Sequence, residues 1–194
     1  MTERFRPGGI GDAHAIARVH VAGWQEGYQG LIDQAYLDSL DVADRARRWV
    51  DILQGTESVL VHEDGGQVNA FATFGPIHDV DIPEAAGEVY ALYVHPQAWG
   101  QGTGGAMLAT VVAHLLDGRQ AGAFDAAPST EHTRSPAGQA APSVLWTLEG
   151  NRRARRFYER QGWAADGTTR LNQRSGLGKA PDITFTEVRY LLSR

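Results

Sequence analysis

The residues best placed to do chemistry are four glycines within six positions, Gly100, Gly102, Gly104 and Gly105. They follow a short run from Glu88 to Val94 that mixes β-branched and aromatic residues and stops at His95-Pro96. Proline cannot continue a hydrogen-bonded ladder, so this run reads as a buried strand that ends there. Beyond the glycines come Met107, Leu108, Val111, Val112, Leu115 and Leu116, whose spacing marks one face of an α-helix. Glycines at a helix N-terminus leave N–H groups without helical partners open to an anion, and the macrodipole adds partial positive charge there. The ligand predicted is a phosphate or pyrophosphate, the alternative being a Gly-rich strand-to-helix turn that binds nothing. Two nucleotide motifs are excluded: no Lys-Ser/Thr follows the glycines as in a P-loop, and G-x-G-x-G-G lacks the Rossmann order.

The elements that must position this stretch can be taken in chain order. Glu3 to Arg6 reads as a short strand, and Asp12 as the N-cap of a helix carrying Ile16, Val19, Val21 and Trp24. Trp24 and Tyr28 are i and i+4, so they share a helix face. Asp41 opens a second helix, with Val42, Ala46, Trp49, Val50 and Leu53 inward and Gly55 as its stop. Ser58 to His62 and Val68 to Phe74 are strands joined by Glu63-Asp64-Gly65-Gly66, a hairpin signal. After the central strand and helix, Asp117 to Ser143 is rich in Gly, Ala, Pro, Ser and Thr and reads as a long mobile loop. Val144 to Leu148 is a strand and Arg152 to Gln161 a helix stopped by Gly162. Trp163 enters a further strand, and Thr184 to Leu192 supplies the last. The order β-α-α-β-β-β-α-β-α-β-β describes one α+β domain spanning residues 1–194, with about six to seven strands and about four helices.

Composition narrows the class. The net charge is −5 with no Lys/Arg block, which argues against nucleic acid or an anionic membrane as partner. The absence of cysteine removes disulfides, thiolate metal sites and a cysteine nucleophile together. His62, His78 and His95 lack helix-spaced partners, so no metal site is expected. There is no apolar leader and no run of about 18 apolar residues, and a cytoplasmic protein is the expectation.

The glycine stretch resembles the acetyl-CoA site of the GCN5-related N-acetyltransferases, whose motif is Arg/Gln-x-x-Gly-x-Gly/Ala between a central strand and a long helix. Here it covers Trp99-Gly100-Gln101-Gly102-Thr103-Gly104, with Gly105 beyond; Gly102 and Gly104 match, while Trp99 stands where the family has Arg or Gln. A second block, LWTLEGNRRARRFYERQGW, resembles the family's strand-helix-strand segment, in which an Asn opens the helix and an aromatic-Tyr pair precedes a Gly-aromatic step. The element order is also that of the family, and the resemblance implies the family's α+β fold, a mixed, mostly antiparallel central sheet flanked by helices.

The resemblance implies a set of roles. Acetyl transfer from a thioester to an amine needs a free-base amine, a polarised carbonyl and a proton for the leaving thiolate. Tyr158 matches the family tyrosine that donates to the CoA sulfur; a core tyrosine beside Phe157 is the alternative. Asn151 lies i to i+7 from Tyr158, on the same helix face, and is at least an N-cap and in the family a pantetheine contact. Glu88 matches a general base acting through water in some relatives, although a glutamate at a strand end is usually solvated. The Leu92 N–H matches the amide that polarises the acetyl carbonyl, and Val94 matches the position that pairs with pantetheine, in a register that a bulge would shift. Trp24, Tyr28 and Tyr36 fall in the helical unit that covers the acceptor pocket in this family, where aromatic walls suit a hydrophobic amine and equally suit a core. The arginines Arg152, Arg153, Arg155, Arg156 and Arg160 read as a solvated face, or in part as partners of the CoA 3′-phosphate.

The expected activity is therefore acetyl transfer from acetyl-CoA to a primary amine by direct attack in a ternary complex. A small-molecule amine is the expected acceptor, on the grounds of acidic charge, aromatic pocket candidates and no additional protein-binding domain. A protein N-terminus or lysine is the alternative acceptor, and an inactive acyl-CoA-binding module the alternative class. By analogy with the family, a homodimer through an exposed last strand is a further expectation.

Overall fold

The computed structural model describes residues 4–82, 85, 87–117, 141–175 and 181–193. These residues form strands β1 (Arg4–Pro7), β2 (Ser58–Asp64), β3 (Gln67–Gly75), β4 (Gly87–Val94), β5 (Ser143–Leu148), β6 (Ala164–Arg174) and β7 (Ile183–Leu192). Between them lie helices α1 (Ala13–Gly27), α2 (Gln34–Asp38), α3 (Val42–Gln54), α4 (Thr103–Leu116) and α5 (Arg152–Arg160). The seven strands make one sheet in the order β1-β2-β3-β4-β5-β7-β6. β4 and β5 are parallel, and the other neighbours are antiparallel.

Each face of the sheet has its own core. On one face α4 sets Met107, Leu108, Val111, Val112 and Leu115 against Leu60, Phe74, Val89 and Leu145, and α5 adds Tyr158 and Phe157. On the other, α1 and α3 pack Ile16, Val19 and Trp49 against Val59, Val61 and Phe71, and a third cluster joins Trp24, Tyr36 and Leu37 to Leu148 and Ile183. Every fully buried Leu, Val or Met contributes about 1.5–3 kcal/mol, so the two layers hold the central strands from both sides. That double burial explains why β2 and β3 run apolar without a polar face.

The expected α+β architecture with a mostly antiparallel sheet is the one found, with a fifth helix in addition. Residues Gln34–Asp38 are too few for periodicity to reveal; what starts them is Asp33, whose Oδ1 accepts from the Ala35 and Tyr36 amides at 2.8 and 3.3 Å. The exposed last strand is a correction. β7 lies between β5 and β6 with ladders on both sides, so it offers no free edge for a second copy, and the outer strands are β1 and β6. The long loop expected over 117–143 lies, apart from its ends, outside the described residues.

Candidate active site

The site begins where two strands part. β4 and β5 pair only at Gly87 with Ser143, Glu88 with Val144 and Val89 with Leu145; past these rows the strands diverge. At the same level β3 and β4 shift register, with Thr73 opposite Ala91 and Phe74 opposite Val89, which leaves Tyr90 as a bulged extra residue. The bulge sets the alternation that follows. His95 donates its amide to Asn69 O on β3 at 2.7 Å, so Leu92 and Val94, three and one residues earlier, direct their main-chain groups away from β3 toward the gap. The gap opens into a cavity of about 870 Å³ whose wall includes Leu92, Val94, Trp146 and Leu148.

One end of the cavity is the glycine turn. Gly102 is the N-cap of α4 in the left-handed region, with φ 89° and no side-chain cap, so the first-turn N–H groups of Thr103, Gly104 and Gly105 have no helical acceptor. A Cβ at Gly100 or Gly102 would meet nothing within 4 Å, and both φ values are positive, so glycine keeps the turn open and unstrained. An uncapped, side-chain-free helix end suits a pyrophosphate. Trp99, Gly100, Gly102, Gly104 and Gly105 line the cavity; Gln101 and Thr103 do not, and the Gln101 amide instead donates to Gln97 O. Trp99 has a different task from an Arg or Gln. Its indole Nε1 donates to Val94 O at 2.7 Å, and the Arg153 guanidinium stacks 3.4 Å from its ring centroid. The carbonyl of Val94 is therefore taken, and its N–H is the group directed to the gap.

Asn151 and Tyr158 both reach the cavity wall from α5, as their i to i+7 spacing predicts. The Asn151 Oδ1 caps the helix by accepting from the Ala154 amide at 3.0 Å. Tyr158 is 8% exposed, held among Phe157, Trp163 and Tyr190, and its hydroxyl has no hydrogen-bond partner among the described residues. Burial, and next the Tyr93 hydroxyl, push its pKa up, so the hydroxyl keeps its proton at neutral pH.

The other end of the cavity is aromatic. α1 passes close over β4 because residue 23 is glycine: a Cβ there would stand 2.9 Å from Tyr93 Cδ1. The Tyr93 hydroxyl accepts from Trp24 Nε1 at 2.8 Å and shares a 3.1 Å hydrogen bond with Tyr28. Trp24 and Tyr28 meet edge to face at 4.9 Å, and Tyr36 completes the wall. Trp24 and Tyr28 thus share a face as their i to i+4 spacing suggests, and Tyr36, from α2, joins them. Burial raises the pKa values of Tyr28 and Tyr93, so both stay neutral.

Glu88 stands apart from these residues. It is 3% exposed, its Oε2 accepts from the His78 amide at 3.1 Å, and it is not on the cavity wall. Burial raises its pKa despite that N–H. The carboxylate that does line the cavity is Glu187, on the same face of β7 as Phe185; its Oε2 accepts from Arg170 Nε at 2.8 Å and Asn172 Nδ2 at 3.0 Å. Sequence reasoning missed Glu187. The available signal was period 2: Glu187 and Arg189 alternate with Val188 and Tyr190, which sets a charged row opposite a row that enters the core.

With this geometry in view, comparison with known proteins is decisive. The family model described as Acetyltransferase (GNAT) domain matches residues 55–165, more than half of the chain. The chain belongs to this family. The GNAT family is one of acyltransferase enzymes, and the matched region contains β2 to β5, the glycine turn and α5. Among curated relatives, the uncharacterized N-acetyltransferase YuaI of Bacillus subtilis is 36% identical over 106 residues, 54% of this chain and 60% of YuaI. A Mycobacterium tuberculosis protein named Probable N-acetyltransferase Rv2775 is 29% identical over 164 residues, 81% of this chain and 78% of the relative. Among solved structures, the paia N-acetyltransferase of Thermoplasma acidophilum, in complex with coenzyme A, superposes with TM-score 0.67 at 13% identity over the full length of both chains. The yncA protein of Salmonella typhimurium, with its cofactor acetyl-CoA, gives TM-score 0.59 at 17% identity, covering 100% of this chain and 94% of the other. Identities this low speak for the GNAT fold alone. No helix of the described residues is long and apolar enough to cross a membrane.

Proposed function

We propose that this protein transfers the acetyl group of acetyl-CoA to the primary amine of a small molecule, by direct attack in a ternary complex. The observation that carries the proposal is the continuity of the cavity: one space joins the uncapped glycine end of α4 to the aromatic pocket under α1, passing Tyr158 in the gap between β4 and β5. An acyl donor with a pyrophosphate and an acceptor amine can meet there from opposite faces of the sheet. Gly100, Gly102, Gly104 and Gly105 would hold the pyrophosphate, and the main chain of Leu92 and Val94 with Asn151 would line the pantetheine arm. Acetyl-CoA supplies the thioester that the amine attacks.

The remaining roles belong to side chains of this protein. Glu187 is assigned to the incoming ammonium, ahead of Glu88, whose carboxylate is turned to His78. It takes one amine proton, the nitrogen bonds to the thioester carbon, the Leu92 N–H supports the oxyanion, and the C–S bond breaks as Tyr158 protonates the departing sulfur. The acylated nitrogen gives its second surplus proton through water to the Tyr158 oxygen, the amide leaves, and Glu187 releases the first proton to solvent. The test follows thiol release from acetyl-CoA over a panel of small amines and short peptides. Glu187→Gln is expected to lower kcat/KM by roughly 10²-fold, the scale of one general base. CoA binding without turnover on any acceptor would point to a binding module, and peptide N-termini outrunning every small amine would point to a protein acetyltransferase.

A further inference from the structure

Three arginines on the acceptor side of the cavity are unaccounted for by acetyl transfer to a simple amine. Arg45 and Arg48 are one turn apart on α3, and Arg174 ends β6 opposite Ile183; all three line the cavity. None has an acidic or hydrogen-bonding partner among the described residues. By contrast Arg6 is held by Asp12 and Glu63, Arg170 by Glu187, and Arg189 by Asp79, Asp81 and Asp166. The three gather although the protein is acidic overall, at −5. They are close enough to act on one another: Arg48 and Arg174 both disfavour the charge on half-buried Arg45, and Arg45 and Arg174 both disfavour a charge on His20. His20 is kept neutral at the pocket wall, its Nδ1 accepting from Trp49 Nε1 at 3.2 Å. Like charges held together without a counterion are unfavourable unless an oxyanion joins them, and guanidinium groups match carboxylate and phosphoryl oxygens in geometry.

The face of the sheet identifies whose oxyanion it is. The glycine end of α4 and the Tyr158 ring belong with the core on one face. Arg45 sits with Tyr36 and Tyr93, and Arg174 with Ile183, on the opposite face, under α1 and α3. Glu187 is on that face too, four residues along β7 from Ile183, which at strand rise is about 13 Å between Cα positions and less between side-chain ends. A carboxylate for an ammonium and three guanidinium groups for an anion thus share one pocket.

We infer that the acceptor is a zwitterion, an amine that also carries a carboxylate or phosphoryl-type anion, with Arg45, Arg48 and Arg174 binding the anion while Glu187 faces the amine. The inference rests on the acetyltransferase proposal for the role of the amine, and on the arginines alone for the anion. The test is calorimetric titration of the protein, alone and saturated with CoA, with matched pairs: phenylalanine against phenethylamine, 6-aminohexanoate against pentylamine, and 2-aminoethylphosphonate against ethylamine. At least one anionic member is expected to bind about tenfold or more tighter than its neutral partner. The Arg45→Gln/Arg174→Gln double variant, with unchanged circular dichroism, is expected to remove that advantage and leave CoA affinity within about twofold, far below the tenfold steps read here. No anionic member binding tighter than its partner would overturn the inference, as would an advantage that survives in the double variant. Loss of CoA affinity in that variant would reassign the arginines to the CoA phosphates. If CoA itself fails to bind, the acetyltransferase proposal falls, while the titrations of the protein alone still decide the anion site.

Discussion

At the residue scale the burial of two groups sets opposite expectations. The Tyr158 ring packs against Phe157, Trp163 and Tyr190, contacts that phenylalanine would keep. Tyr158→Phe therefore removes the hydroxyl alone, and turnover is expected to fall roughly 10²-fold with CoA affinity retained, read by steady-state kinetics beside a binding titration. Equal loss in both would mean that the hydroxyl only helps to hold CoA. Glu88 tells the other story. Burial raises its folded-state pKa, so its stabilising contribution is complete below the unfolded carboxylate value and is lost as pH rises through the folded one. Glu88→Gln keeps an acceptor for the His78 amide without the charge. Its stability relative to wild type is expected to improve as pH is raised from about 4 to 7, the range that spans an ordinary carboxylate and a raised one. Denaturant midpoints across that range measure it, and a falling relative stability would contradict the burial argument. Glu88→Gln is also expected to leave turnover closer to wild type than Glu187→Gln does.

At the element scale the decisive local choice is an N-terminus left bare. α2, α3 and α5 are capped by Asp33, Asp41 and Asn151, whereas α4 starts on a glycine with no side-chain cap. Asp12 marks how context overrides this chemistry: it stands at the N-cap of α1, yet its carboxylate makes no cap and instead takes the Arg6 guanidinium at 2.7 and 2.8 Å and the Gly9 amide at 2.9 Å. A bidentate contact with a full positive charge outweighs a single bond from a backbone amide. The bare end of α4 predicts the behaviour of Gly102→Ala. The added methyl meets no protein atom within 4 Å, so the fold loses only the backbone penalty of a left-handed residue, about 1–2 kcal/mol. CoA affinity is expected to fall further, at least roughly tenfold, because the methyl enters the space assigned to the pyrophosphate. An unchanged CoA dissociation constant in a folded variant would remove the glycine turn from the site.

At the scale of the whole molecule, the sequence makes strands and helices legible because periodicity, caps and glycines are local signals. Glu88 to Val94, Met107 to Leu116 and Arg152 to Gln161 all form the elements that their patterns predict. What the sequence does not reveal is which side chains meet. Arg45 lies on α3, whereas Arg174 and Glu187 lie on the consecutive strands β6 and β7, and nothing local distinguishes the two arginines from surface charges; only the sheet order and the two-residue alternation bring all three to one pocket. Nor can local pattern show that β4 and β5 part after three paired rows. That parting has a mechanical consequence, since β1 to β4 and β5 to β7 are two halves of one sheet joined by a short parallel ladder. A ligand lying in the gap would bridge them. Acetyl-CoA at 100 times its dissociation constant should add about 2.7 kcal/mol to unfolding stability by mass action. The gain should also be uneven: hydrogen exchange is expected to slow most at Ala91 to Val94 and Trp146 to Leu148, on the two sides of the gap. The β2–β3 hairpin, paired from Ser58 opposite Phe74 to Asp64 opposite Gln67 with one bulge at Asn69, should change little beyond the global shift. Protection spread evenly over the sheet, or centred on the hairpin, would place the donor outside the gap, and the passage from the glycine turn past Tyr158 to Glu187 would lose its purpose.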